Sequence, residues 1–230
     1  LFLSNYLPED IKSLVYLDAD VVCIQDPIEK IKKVFSSIND SYSIAVRTEI
    51  RRNFESSKLF DTLGMKNDVY FNAGVMAINL ENWKIKEIEK ISQERIYTMA
   101  EKLQFWDQDI LNSIFDGDYF ELDKNLNNLI DLSTNPDSIS HAFKEKEDLP
   151  IFIHYAGSNK PWFFNGILSD DSQFYQQVYK SLFSYNYHLV TPWKKFLLLQ
   201  LIDYIKNMKS YKVQHRSSLV YLAIKRLIVK

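Results

Sequence analysis

Two hundred and thirty residues, 46% hydrophobic and 25% charged, have the composition of a globular chain long enough for one sizeable core. That composition excludes a disordered chain, a collagen and a coiled coil. The net charge of −2 hides an asymmetry: residues 189–230 hold nine Lys and Arg against one acid, Asp203, which makes that tail +8 and everything before it −10.

The single cysteine, Cys23, excludes an internal disulfide framework and fits a reducing compartment. Leu1–Leu3 is too short an apolar run for a secretory leader, and no stretch reaches the roughly 18 apolar residues of a membrane span. The first residue is Leu rather than Met, as expected of a piece of a longer protein.

Along the chain, Pro8 with Glu9 and Asp10 predicts the first turn of a short helix. Leu14–Leu17 predicts a buried strand that runs into Asp18-Ala19-Asp20, with Val21–Ile24 apolar again. The expectation is that Leu14–Leu17 lies in the interior of its parental sheet. Pro27 opens a helix with Ile28, Ile31 and Val34 on one face, and Ser43–Val46 reads as another strand. Arg51–Leu63 is predicted helical, closed by Gly64. Tyr70–Leu80 is too apolar for a surface loop and has Gly74 at its middle, which predicts strand, turn, strand.

Trp83–Lys102 is predicted to form one long helix burying Ile85, Ile88, Ile91 and Ile96. Trp106–Phe115 is a second helix, ended by Gly117. Ile151–Tyr155 is a buried strand that delivers His154 into a Gly157–Pro161 loop. Strands alternating with helices predict an α/β sheet covered by helices.

Asp18-x-Asp20 follows an apolar strand directly, and ligands of open α/β sheets bind at the carboxyl ends of strands. Two carboxylates so close repel each other and call for a cation, and a divalent metal that also holds a diphosphate meets that need. A solvated acidic turn is the alternative. His154 on its own apolar strand is most simply a core histidine. The HYAGSNKPW context adds Gly157, which permits close backbone approach to an anion, and Lys160, a point charge suited to phosphate. With two carboxylates, the imidazole completes a mixed N/O set appropriate to Mn²⁺ or Mg²⁺. Asp107-Gln108-Asp109 opens a helix, where acids are favoured by the backbone dipole alone. Two acids and an amide after Trp106 also suit the hydroxyls of a sugar, and Asn72-Ala73-Gly74 sets a polar amide in an apolar strand.

In this order, YLDADVVC, YFNAGVMAINLENW, WDQDILN and HYAGSNKPW resemble the glycosyltransferase family 8 enzymes, a group that includes bacterial lipopolysaccharide galactosyl- and glucosyltransferases and glycogenin. The four motifs spread from Asp18 to Trp162. The resemblance implies a GT-A fold (a Rossmann-like mixed α/β sheet), a UDP-hexose donor, Mn²⁺ or Mg²⁺, and transfer to a saccharide or glycolipid acceptor with retention of configuration. By motif, Asp18, Asp20 and His154 resemble the metal ligands, with Ala19 between the acids at the donor. Gly157 and Lys160 resemble the diphosphate contacts. Asn72, Ala73, Gly74, Asp107 and Gln108 resemble the surroundings of the donor sugar, with Gln108 near its reacting face and Asp107 beside it as the catalytic pair. Family members carry a first βαβ half, with the uracil and ribose contacts, before the D-x-D motif. Only 17 residues precede Asp18 here. The expectation is therefore an N-terminally incomplete catalytic domain over 1–188 and a basic helical tail over 189–230.

Two other readings stand beside this one. LVYLDADVV also looks like the first motif of haloacid-dehalogenase-type phosphatases, with Asp170-Asp171 as the late acidic pair. A non-catalytic transferase piece that binds a sugar or a partner subunit is the second. In the tail, Trp193, Phe196, Leu197, Leu199, Ile202 and Ile205 form a broad apolar face flanked by Lys194, Lys195, Lys206 and Lys209. That pattern predicts an amphipathic helix lying in an anionic lipid interface, hence peripheral attachment to the cytoplasmic face of a membrane and no nucleic-acid partner.

Overall fold

The computed structural model describes residues 1–38, 41–132, 149–167, 169–183 and 188–190, with isolated positions at 199, 202, 203, 217, 220, 221 and 224. The chain divides into two compact units, one of Leu1–Val21 and Asp26–Asn127, the other of Val22–Gln25 and Asn128–Lys230.

In the first unit the strands are β1 (Ser13–Leu17), β3 (Ile44–Arg51), β4 (Val69–Asn79) and β5 (Phe120–Glu121), in the order β1-β4-β3-β5. β4 runs antiparallel to β1 and β3, and β3 runs parallel to β5, so the sheet is mixed. β1 stands at the end of this order. The helices are α1 (Ile28–Ile38), α2 (Ser57–Leu63), α3 (Leu80–Ile85), α4 (Ile88–Met99) and α5 (Trp106–Phe115). One core gathers Ile44, Val46, Phe71, Met76, Ile78, Trp83, Leu111 and Phe115. Another gathers Phe60, Leu63, Met65, Tyr70 and Met99. Tyr70 and Phe71 enter different cores because successive side chains of a strand point to opposite faces.

The strand-turn-strand expected over Tyr70–Leu80 is instead the single strand β4. Both of its flanks pair with β3, so the chain never reverses. The register shifts between Ala45↔Ala77 and Arg47↔Asn72, which leaves extra β4 residues around Gly74. Glycine inside a strand often marks such a bulge. The bulge also re-phases the strand, since Phe71 and Ala73 before it and Met76 and Ile78 after it all face one core.

The long helix expected over Trp83–Lys102 breaks at Glu87, whose φ is 50°. Five residues of straight helix would separate Trp83 and Ile88 by roughly 140° around the axis. The break restores both to one core and leaves Ile85 77% exposed, contrary to its predicted burial. The chain continues past α4 as a 3₁₀ turn over Ala100–Lys102. Two further corrections concern helix starts. Glu9 and Asp10 form a turn closed by the Ile11 N–H to the Pro8 carbonyl, and the short 3₁₀ helix lies earlier, over Leu3–Tyr6. Arg51 still belongs to β3, and α2 begins only at Ser57 and ends on Gly64 at φ 67°.

In the second unit β2 (Val21–Cys23, joined from Val22), β7 (Phe152–Ala156) and β6 (Asn128–Asp131) form a sheet in the order β2-β7-β6, with β6 and β7 parallel. Val22, Ile130, Leu132, Ile153 and Tyr155 are its core. Two helices follow, α6 (Phe164–Ile167) and α7 (Gln173–Phe183), and Phe174 and Val178 of α7 pack against that core. No described helix is long and apolar enough to cross a membrane. Most of the predicted tail helix, including Trp193–Leu197 and Lys206–Lys209, lies outside the described residues.

Candidate active site and metal centre

β1 carries Asp18 to the end of its strand. The Asp18 N–H donates to the Gly74 carbonyl at 2.8 Å, and the Val21 N–H returns to the Asp18 carbonyl at 3.1 Å, a tight turn that places Asp20 immediately before β2. In the sheet β2 neighbours β7, which presents His154, only 4% exposed. Asp18, Asp20 and His154 each offer one ligand atom, and these atoms lie within 4.8 Å of one another. Two carboxylates and one imidazole at that spacing are a donor set suited to a divalent cation of intermediate hardness.

The Tyr16 hydroxyl donates to Asp18 Oδ1 at 2.8 Å. Burial raises the Tyr16 phenol pKa, helped by that bond and by the negative charges of Asp18, Asp107 and Asp20. Tyr16 is thus a neutral donor that orients one carboxylate within an acidic cluster.

On β4 the donor-side motif is held by amides. Asn72 Oδ1 accepts from the Gly74 N–H at 3.0 Å and from Asn127 Nδ2 at 3.0 Å, while Asn72 Nδ2 donates to Glu49 Oε2 at 3.2 Å. Gln108 Oε1 accepts from the Ala73 N–H at 2.9 Å, and its Nε2 lies 3.3 Å from both Glu49 Oε2 and the Tyr70 hydroxyl. The structure therefore brings Asn72, Ala73, Gly74 and Gln108 into one network. Gly74 serves it through its N–H, its carbonyl and the bulge rather than through a reversal of the chain. Asp107 is exposed on the first turn of α5.

Asp109, the third member of the acidic run, is structural. It is fully buried, accepts from the Gln104 and Phe105 N–H groups at 2.6 and 2.7 Å, and receives the Tyr70 hydroxyl at 2.6 Å. Burial raises the Tyr70 phenol pKa and the bond to Asp109 reinforces the shift, so Tyr70 is a permanent donor. Sequence reasoning missed Glu49, Tyr16, Tyr70 and Asn127. None of the four left a local signal: Glu49 lies in the polar half of β3, Arg47–Arg51, among Arg47, Thr48 and Arg51.

In the second unit Gly157 takes φ 78°, and a Cβ there would meet Asp131 Oδ1 at 3.0 Å, so this turn is closed to side chains. Lys160 Nζ donates to the Tyr155 carbonyl at 2.7 Å. The Lys160 carbonyl accepts from the Phe163 N–H at 2.9 Å, and Gly166 packs so close that a Cβ would lie 2.0 Å from that oxygen. The loop carrying Lys160 is therefore tied at both ends. Asp171, proposed for a phosphatase, is buried in the 3₁₀ turn before α7.

The sequence model of the family described as "Glycosyl transferase family 8" matches residues 1–166. The chain is 29% identical over 217 residues to an Escherichia coli lipopolysaccharide 1,2-glucosyltransferase, covering 90% of this chain and 58% of that protein. It is 25% identical over 212 residues to a Salmonella typhimurium lipopolysaccharide 1,3-galactosyltransferase, covering 91% and 61%. The chain thus spans about three-fifths of the length of these two relatives. Among solved structures, galactosyltransferase LgtC in complex with donor and acceptor sugar analogs superposes with a TM-score of 0.60 at 21% identity, covering 85% of this chain and 67% of that one. That likeness identifies the fold as the mixed α/β GT-A type.

Proposed function

The chain belongs to glycosyl transferase family 8, and on that premise we propose that it forms the metal–diphosphate and donor-sugar side of a retaining hexosyltransferase. The donor is a UDP-hexose, and the acceptor is a saccharide of lipopolysaccharide, capsule or glycoprotein type. The observation that carries the reading is the grouping of Asp18, Asp20 and His154 within 4.8 Å. Bound there, Mn²⁺ or Mg²⁺ supplies positive charge against the diphosphate that leaves as the sugar–phosphate bond breaks. The family match leaves the phosphatase reading without support.

Lys160 adds a second positive charge for the diphosphate, and Gly157 forms the tight turn that leads to this lysine. The amides of Asn72 and Gln108, braced on Glu49, hold the hydroxyls of the donor sugar, and Asp107 accepts another. Retention ordinarily calls for a carboxylate nucleophile. Gln108 is an amide whose Oε1 is already engaged by the Ala73 N–H at 2.9 Å, which supports attack on the same face as departure, with the leaving phosphate taking the acceptor's proton. The basic tail over 189–230 attaches the protein to the cytoplasmic face of an anionic membrane, where a lipid-linked acceptor is met.

The test is UDP release from UDP-glucose and UDP-galactose with and without Mn²⁺. The expected result is release that EDTA abolishes and that Asp20→Asn lacks. Saccharide binding without UDP release or Mn²⁺-dependent UDP binding would establish the non-catalytic reading instead.

A further inference from the structure

Of the described non-glycine residues three have positive φ, and two of them, Glu87 and Asp116, sit at helix ends that need a left-handed residue. The third is Trp106, at φ 49°. A bulky aromatic in this region is strained, and such strain persists only where the surroundings enforce it. Here they do. Asp109 Oδ2 takes the N–H groups of Gln104 and Phe105, the Gln108 N–H donates to the Phe105 carbonyl at 3.0 Å, and the Phe105 ring leans on Tyr70 at 6.4 Å.

The strain brings no packing in return. The Trp106 side chain is 78% exposed and makes no hydrogen bond or ring contact among the described residues. A fold that needed only the left-handed turn would be better served by glycine. The position is one residue before Asp107 and two before Gln108, and Phe105 on its other side is 42% exposed. Two exposed carboxylates belong to the same neighbourhood in the chain and in the donor-side network: Asp107, next to Trp106, and Glu49 at 3.3 Å from Gln108 Nε2.

The geometry points to Trp106 as the acceptor platform, an indole face that stacks on the apolar C–H face of a pyranose beside the donor-side residues Asp107 and Gln108. An exposed flat apolar face set among polar residues is the complement of a sugar. An acyl chain would find two charges where it needs continuous apolar surface. The assignment rests on the transferase reading and adds to it the residue that selects the acceptor.

The experiment compares wild type, Trp106→Ala, Trp106→Phe and Trp106→Gly, each with Mn²⁺ and UDP-hexose, in binding to an array of immobilised saccharides. UDP-hexose hydrolysis and melting temperature are measured in parallel. Wild type is expected to select a subset of saccharides, Trp106→Ala to bind them about three- to tenfold more weakly, and Trp106→Phe to fall between. In Trp106→Ala saccharide binding should fall by a larger factor than hydrolysis, and Trp106→Gly should melt no lower than wild type.

Unchanged saccharide binding by Trp106→Ala overturns the assignment, as does wild type that hydrolyses UDP-hexose yet selects no saccharide. A lower melting temperature in Trp106→Gly makes the indole a packing residue and overturns it too. Wild type with neither hydrolysis nor saccharide binding overturns the transferase reading itself, and the platform falls with it.

Discussion

Asn112 brackets the backbone of Phe71: its Oδ1 accepts the Phe71 N–H at 2.7 Å, and its Nδ2 donates to the Phe71 carbonyl at 2.9 Å. β1 pairs with β4 only from Val75 to Asn79, so beyond that point side chains of α5 stand in for the missing strand. Gln108 does the same for Ala73. This arrangement locks the helix that carries Asp107 and Gln108 to the strand that carries Asn72 and Gly74.

Asn112→Ala is therefore expected to cost about 2–5 kcal/mol, since it strands a buried donor and a buried acceptor on β4. Asn112→Asp should cost more, because it sets a buried carboxylate against the carbonyls of Phe71 and Gln108 that Nδ2 now serves. Urea unfolding of the two variants reads the order. Equal stability of Asp and wild type would contradict it.

Gln108→Glu places a second carboxylate oxygen about where Nε2 now lies 3.3 Å from Glu49 Oε2. The loss of stability should be relieved by adding Glu49→Gln, with a coupling of at least about 0.5 kcal/mol in a double-mutant cycle. Mass spectrometry of Gln108→Glu after incubation with UDP-hexose should find no sugar adduct at position 108. An adduct there would restore a nucleophilic route.

Asp18→Asn and Asp20→Asn should each weaken Mn²⁺ binding, followed by the electron paramagnetic resonance of the free ion, by at least about tenfold. Tyr16→Phe removes the hydroxyl that orients Asp18 and should weaken binding in the same direction without removing a ligand. Undiminished affinity in Asp20→Asn would dismiss the assignment of that ligand.

His188 stacks on Tyr179 at 4.2 Å with an interplanar angle of 3°, and its Nδ1 lies 2.6 Å from the hydroxyl of Tyr175, whose phenol burial pushes up to about 12. Gln176 holds the His188 backbone at both its N–H and its carbonyl. Burial lowers the His188 pKa below its ordinary 6.5, so the folded state favours the neutral ring. Between the folded value and 6.5 the unfolded chain binds the extra proton, so this part of stability is complete above about 6.5 and is lost as pH falls toward the folded value. Thermal melts from about pH 7.5 to 5.5 should show a smaller decline for His188→Gln than for wild type. Parallel declines would assign the acid sensitivity to other groups.

Replacing Lys194, Lys195, Lys206 and Lys209 by Glu in the full chain should abolish flotation with vesicles of about one-third anionic lipid, at roughly 1 kcal/mol per lysine lost. It should leave flotation with neutral vesicles unchanged. Retained binding to the anionic vesicles would show that these lysines do not face a membrane.

The four motifs, the strands that end at Asp18 and hold His154, and the alternation of strand and helix were legible in the sequence because each is a local pattern of apolar spacing and chemistry. Where long-range partners decide, the local pattern failed. Gly74 reads as a turn until β3 is seen to pair with both flanks of β4, and Trp83–Lys102 reads as one helix until Trp83 and Ile88 must share a core. The division of labour in Asp107-Gln108-Asp109 was hidden for the same reason. Three adjacent polar residues look alike, but the helix turns about 100° per residue, so Asp109 enters the interior to bind Tyr70 and the Gln104–Phe105 backbone while Asp107 stays in solvent. Glu49 joined the site only through folding, because the sheet brings it within reach of amides 23 and 59 residues away.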